Sequence, residues 1–259
     1  MMPKLFDTHA HLDQEEFNPD RAEMLARARA AGVEKILAVG ITRASSERTV
    51  ALAAEQAMVH AAVGIHPNSA AEAEAGDWDA VVKLATRDEV AAIGETGLDR
   101  HWDFTPWDVQ QDYFDRHLRL SQQTDLPLVI HSRECDADIL AMLREARRRG
   151  PINGILHSFC GAVETAAEAL ELGLHISFAG MVTYKKNDDL RAIAAAIRSD
   201  RILIETDSPY LSPVPVRKIR RNEPAHVLHT AACLATVRGL SLEDFAEQTT
   251  ANARRLLMT

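Results

Sequence analysis

Lys4-Leu5-Phe6-Asp7-Thr8-His9-Ala10-His11-Leu12-Asp13 opens the chain with apolar or β-favouring residues leading into two histidines spaced i, i+2. In an extended strand, side chains two apart point to the same face, so His9 and His11 can aim two imidazoles at one point. On a helix the same spacing would splay them by about 200°. A histidine pair closing a strand, with Asp7 and Asp13 beside it, has the composition of half a metal site. A strand with function at its C-terminal end, repeated along a chain, is the mark of one fold class in particular, and the rest of the sequence is read against that expectation.

Working outward, the first strand is followed by an Arg/Ala/Leu-rich helical run from Arg21 to Ala31 that stops at Gly32. Further strands are expected over 33–39, 60–65, 90–93, 127–130, 152–156, 174–178 and 201–204, each followed by a helix-like stretch. The strand over 90–93 runs into Gly94-Glu95-Thr96-Gly97-Leu98-Asp99. Eight apolar strands alternate with helices at a spacing of roughly 30 residues, the size of a βα unit. They are apolar on both faces, as parallel strands covered by helices are. The expected fold is α/β, a (β/α)8 TIM-like barrel, with residues 1–259 as a single domain. No linker-like composition break interrupts it.

The 259 residues carry 29 basic and 38 acidic side chains, a net charge of −9, which argues against a polyanion binder held by a general basic surface. An enzyme gripping phosphate through metal and a few local arginines stays open. Three scattered cysteines, Cys135, Cys160 and Cys233, with no paired spacing, suit a reducing compartment and read as small buried residues. With no apolar run of membrane-spanning length and no room for a signal peptide ahead of the first strand, a cytoplasmic protein is expected.

The ionisable residues fall where such a barrel keeps its chemistry. His9 and His11 close the first strand, His66 the third, Glu95 follows the fourth, and His131, His157 and Asp207 close the fifth, sixth and eighth. Five of the eleven histidines thus sit at four strand ends, too ordered an arrangement for isolated structural residues. Four imidazoles (His9, His11, His131, His157) and two carboxylates (Glu95, Asp207) exceed what one tetrahedral ion takes. They suit two divalent ions sharing a carboxylate; Zn²⁺, Mn²⁺ and Mg²⁺ are all compatible. With no thiol ligand or redox motif, hydrolysis is the natural reaction. A water held by both ions would be acidified toward neutrality, with Asp207 as the carboxylate that takes its proton.

Taken in order, these motifs resemble the TatD-type metal-dependent deoxyribonucleases of the amidohydrolase superfamily. The resemblance is carried by Asp7-Thr8-His9-Ala10-His11-Leu12-Asp13, Gly64-Ile65-His66-Pro67, Gly94-Glu95-Thr96-Gly97-Leu98-Asp99, Val129-Ile130-His131-Ser132-Arg133 and His157-Ser158-Phe159-Cys160-Gly161. Ser177-Phe178-Ala179-Gly180, Glu205-Thr206-Asp207-Ser208-Pro209-Tyr210 and Arg221-Asn222-Glu223-Pro224 complete it. It implies a TIM-like barrel, one ion on His9, His11, Glu95 and Asp207, and a second on Glu95, His131 and His157, with Glu95 bridging. The implied activity is hydrolysis of DNA phosphodiester bonds. Two departures are small: Ser158 and Cys160 exchange residues within the family's usual His-Cys-Phe-Thr-Gly run, and Ile219 replaces a compact basic residue.

Substrate contacts are expected from His66, which neither ion needs, and from Arg133, whose guanidinium matches a phosphate. Lys185, in the run Tyr184-Lys185-Lys186, and Arg220 and Asn222, in or beside the basic cluster of Arg217, Lys218, Arg220 and Arg221, are further candidates for the DNA backbone. Trp102 and Trp107 could stack bases or close the barrel mouth. Asp99 reads as a partner of a ligand rather than a ligand. The expected partner is DNA, as single strands or ends, with no membrane and no obligate protein partner; the oligomeric state is open. A competing reading keeps the metals and changes the bond, to an ester or amide such as that of a misacylated aminoacyl-tRNA.

Overall fold

Leu5–Ala10 forms β1, buried along its whole length, in a computed structural model that describes residues 3–258. The other strands are β2 (Val33–Val39), β3 (Val59–Val63), β4 (Val90–Asp99), β5 (Leu128–Arg133), β6 (Gly154–Leu156), β7 (Leu174–Phe178) and β8 (Ile202–Ile204). They are joined in chain order in one parallel sheet and alternate with α1 (Arg21–Ala30), α2 (Arg43–Glu55), α3 (Asp77–Leu84), α4 (Trp107–Thr124), α5 (Asp136–Arg149), α6 (Val163–Glu171) and α7 (Asp188–Ala196). After β8 come α8 (Val227–Val237) and α9 (Leu242–Leu257). The expected (β/α)8 TIM-like fold is the observed one.

The described residues divide into two compact units: 3–38 with 158–160 and 176–258, and 39–157 with 161–175. In the first, β1 pairs with β2 through Asp7↔Ile36 and Ala10↔Ala38, and β7 with β8 through Phe178↔Ile204. Beyond the paired strands, the Asp207 N–H donates to His9 O at 2.9 Å and the His11 N–H to Ser208 O at 2.8 Å. The segment after β8 is therefore laced onto the histidine-bearing end of β1. Beneath it, Thr8 donates its hydroxyl to Ile204 O at 3.0 Å, so the 3.2 Å contact with Ser177 is filled by the Ser177 proton.

In the second unit β3 pairs with β4, β4 with β5 and β5 with β6, and the consequential register is that of β4 on β5. The strand expected over 90–93 continues to Asp99, with Gly97 opposite His131 and Asp99 opposite Arg133. Its glycines make this possible. Gly94 and Gly97 have φ of +145° and +135°, and a Cβ on Gly97 would collide with the His131 carbonyl oxygen. Glu95, Gly97 and Asp99 share a face by strand alternation, so the missing side chain at Gly97 leaves an opening between two carboxylates, opposite His131.

Candidate metal centre

Each unit assembles its own group of donors. In the first, β1 presents His9 and the residue just past its end presents His11, their Nε2 atoms 3.2 Å apart. Asp207 Oδ1 lies 3.7 Å from His9 Nε2 and 3.5 Å from His11 Nε2. Asp207 reaches them from a left-handed backbone conformation, φ +54°, which aspartate tolerates better than most residues. The turn is held from behind by Asp7, whose carboxylate accepts the Thr206 N–H at 2.8 Å and the Thr206 hydroxyl at 2.6 Å. Burial pushes the Asp7 carboxyl up to about 8, against the pull of those Thr206 donors.

Three ligands around a tetrahedral ion with bonds of about 2.0–2.1 Å stand about 3.3 Å from one another. The His9, His11 and Asp207 atoms come close to that triangle. Two imidazole nitrogens and a carboxylate oxygen facing one point also form a donor set suited to a divalent transition ion. The residues fit the metal that the sequence implies.

In the second unit Glu95 is the hub. Its Oε1 lies 2.9 Å from His157 Nε2, 3.3 Å from His131 Nδ1 and 3.3 Å from His66 Nε2, and the carboxylate is almost wholly buried. Asp99 Oδ2 sits 3.0 Å from His131 Nε2. A carboxylate only accepts, so Nε2 carries the proton and neutral His131 turns the Nδ1 lone pair onto another carboxylate oxygen. Lone pair facing lone pair at 3.3 Å calls for a cation between them, either a proton or a metal. Consistently, although burial alone would lower it, the bonds to Asp99 and Glu95 raise His131 above the usual imidazole range.

His66 is wired the other way. Its Nδ1 accepts the Asn68 N–H at 3.1 Å, which leaves the proton on Nε2, so the neutral ring offers Glu95 a donor and not a lone pair. That is the equipment of a hydrogen-bond donor rather than of a ligand, although the atom lies in the same cluster as Glu95 and His131.

Asp99 was legible only as a partner, and the structure gives it four contacts. Its Oδ1 accepts the N–H groups of His101 and Trp102 at 2.8 and 3.1 Å, and its Oδ2 meets His131 and the Asn68 amide at 3.0 Å each. Burial works to raise its carboxyl, but the His131, Trp102 and Asn68 donors outweigh burial and hold it well below the ordinary carboxylate range. The alternation Glu95, Gly97, Asp99 is the signal that could have found this arrangement. Asn68 and Gln110, which brace the same loop, carry no such signal.

The remaining candidates belong to neither donor group. Arg133, Lys185 and Arg220 are exposed. Arg133 has no carboxylate within ion-pair distance among the described residues, because neighbouring Glu134 is taken by His101 at 2.8 Å. Asn222 is fully buried: its amide donates to Thr206 O at 3.0 Å and Tyr210 O at 2.7 Å, and its carbonyl accepts from Glu223 N–H at 2.9 Å and His226 Nδ1 at 3.0 Å. Arg221 is paired with Asp20, and Arg217 lies over the Tyr184 ring at 4.0 Å. Cys135 is buried as expected, but Cys160 is exposed and Cys233 only half-buried, so the expectation that all three cysteines are buried holds for Cys135 alone.

A parallel eight-stranded α/β fold carrying these donor sets belongs to the metal-dependent hydrolases. Residues 6–258 match the family model described as TatD related DNase. The chain is 38% identical to the uncharacterized metal-dependent hydrolase YabD of Bacillus subtilis, over 97% of this chain and 98% of that one. It is 34% identical to the 3'-5' ssDNA/RNA exonuclease TatD of Citrobacter koseri, over 97% of this chain and 98% of that one. The crystal structure of YJJV, a TatD homolog from Escherichia coli, superposes with a TM-score of 0.93 at 27% identity, covering 100% of both chains. The chain belongs to the TatD-related DNase family and is a metal-dependent hydrolase. Among the described residues no helix is long and apolar enough to cross a membrane.

Proposed function

We propose that the protein hydrolyses phosphodiester bonds of DNA, acting on single strands or ends, with two divalent ions drawn from Mg²⁺, Mn²⁺ and Zn²⁺. The observation that carries the reading is the pair of donor groups, each of imidazoles around a carboxylate at ligand-to-ligand spacing, in a chain of the TatD-related DNase family. The name of the Citrobacter koseri relative supports single-stranded nucleic acid as the substrate class. Following the family resemblance, His9, His11, Glu95 and Asp207 would hold one ion and Glu95, His131 and His157 the other. Bound there, the ions would lower the pKa of water and offset charge on the scissile phosphate.

The chain's own residues do the rest. Asp207 accepts the proton of the attacking water. His66, with its one proton on Nε2, donates it to Glu95 here and would turn that donor to a phosphate oxygen when substrate is bound. Arg133, free of ion pairing among the described residues, clamps a phosphate, and exposed Lys185 and Arg220 hold the strand further along. For Asn222, burial and four internal hydrogen bonds favour positioning the Thr206–Asp207 turn over touching substrate. Three cysteines scattered along the sequence without paired spacing fit a reducing, cytoplasmic setting, with one catalytic domain comprising the whole chain.

The test is hydrolysis of end-labelled single-stranded DNA by wild type and Asp207→Ala, each stripped of metal and resupplied with Mg²⁺, Mn²⁺ or Zn²⁺. Metal-dependent shortening by the wild type alone is the expected result. Absence of cleavage by folded, metal-loaded wild type would move the reading to an ester or amide bond.

A further inference from the structure

The loop after β4 holds two large aromatic side chains out in solvent on a backbone that is locked in place. Trp102 is 44% and Phe104 61% exposed, and their rings stack at 5.3 Å with only 7° between planes. Beneath them, buried Gln110 accepts the Asp99 N–H at 2.9 Å and donates to Asp99 O at 3.1 Å and Thr105 O at 3.0 Å. Asp99 then takes the N–H groups of His101 and Trp102 on one carboxylate oxygen. Water favours neither exposed ring, and a loop that merely connected β4 to α4 would need no such bracing. Rigid exposed aromatics pre-organised by their neighbours are instead what a binding surface uses.

Two further observations specify the occupant. Arg133, on the adjacent strand end, places its guanidinium 5.9 Å from the Trp102 ring centre and has no carboxylate partner among the described residues, in a chain whose net charge is −9. Flat apolar faces next to an uncompensated guanidinium match one nucleotide: a base to stack and a phosphate to pair. The platform is also tied to the chemistry, since the carboxylate that fixes the Trp102 backbone is the one that orients His131. A base inside a duplex is already stacked on both sides and cannot use such a surface.

We propose that Phe104, backed by Trp102 and flanked by Arg133, is a stacking platform for one unpaired base of a single-stranded nucleic-acid substrate. This deepens the nuclease reading above and rests on it. Phe104 supplies the more open face, Trp102 holds that face in place, and Arg133 takes the phosphate.

The test uses metal-loaded protein and end-labelled single-stranded oligonucleotides in which one nucleotide at a time is replaced by an abasic tetrahydrofuran unit. At one position near the cleaved end, the abasic unit is expected to raise KM of the wild type roughly tenfold, within the range of base–aromatic stacking. Phe104→Ala should raise KM on the intact strand by about the same factor, mainly in KM and not in kcat, and should lose the sensitivity to that abasic unit. Phe104→Trp, which keeps a ring, should retain both. A wild type equally tolerant of abasic units at every position overturns the platform without needing any variant, as does a Phe104→Ala protein that keeps the wild-type abasic profile. If the wild type cleaves no oligonucleotide at all, the nuclease reading itself falls and the platform with it.

Discussion

Replacing Asp99 by Asn exchanges one oxygen for an NH2 group and should change which nitrogen of His131 bears the proton. The retained oxygen can go on accepting the His101 and Trp102 N–H groups, and Asn68 can turn its amide to present its own oxygen. The cost to the fold should therefore be small, about 1–2 kcal/mol for weakening charge-assisted bonds to neutral ones. The remaining NH2 points at His131 Nε2, which now sits 3.0 Å from an acceptor that also anchors Asn68. Met by a donor, Nε2 must become the lone-pair nitrogen, and the proton moves to Nδ1, the atom facing Glu95 at 3.3 Å. A protonated Nδ1 cannot ligate. Loss of such an orienting partner costs about 10- to 100-fold in metal affinity, or about 1.4–2.8 kcal/mol. The assay pairs chelator-competition titration of metal affinity with long-range proton–nitrogen NMR of the imidazoles, which reports the tautomer directly. A variant in which the His131 proton moves to Nδ1 while metal is bound as tightly as in the wild type would refute the assignment of His131 Nδ1 as a ligand atom.

Three further outcomes are expected. Asn222→Ala strands the Thr206 and Tyr210 carbonyls and should cost about 2–4 kcal/mol in a urea titration, with activity falling further than stability because Thr206 adjoins Asp207. Gly97→Ala should yield protein that is unfolded or has lost metal, whereas Gly76→Ala, also at positive φ (+94°) but with open space around it, should lose about 1 kcal/mol by thermal melting. His117 is fully buried, its Nε2 accepting the Ile65 N–H at 3.0 Å, and burial pushes it down to about 4. The unfolded chain therefore binds its proton first, so the stability it contributes is complete above about pH 6.5 and is lost as pH falls through about 4, up to about 3 kcal/mol. Urea midpoints of wild type and His117→Gln between pH 7 and 4 check this, and parallel pH slopes for the two proteins would contradict it.

What was legible in the sequence, and what was not, divides along a physical line. A strand needs only its own apolar residues to be recognised, and a ligand at a strand end needs only its type and its place. That is why β2, β7 and β8 were read within a residue or so, and why His9, His11, Glu95, His131, His157 and Asp207 stood out as expected ligands. The fourth strand was ended at Ile93, before the two glycines through which it continues to Asp99. Their role is set by a neighbour, since Gly97 is needed where the His131 carbonyl closes in. The same blindness applies to Asn222. A polar residue beside a basic cluster suggests substrate, and only the distances to Thr206, Tyr210, Glu223 and His226 show its hydrogen-bonding capacity already committed.

The wiring of Glu95, His131 and Asp99 carries this one step further. Glu95 and Asp99 look alike as acids four residues apart, yet one register fact separates them. His131 stands opposite the glycine midway between them, so each ring nitrogen meets one carboxylate. Whichever carboxylate holds the ring proton is the orienting partner, and the other faces a lone pair and needs a cation. Asn68 and two backbone N–H groups also spend their hydrogen bonds on Asp99, and that makes Asp99 the stable acceptor of the pair. The asymmetry between ligand and orienting carboxylate thus originates outside both residues, in the loop that also displays Trp102 and Phe104. A change in that loop should consequently reach the metal through Asp99, even where it touches no ligand.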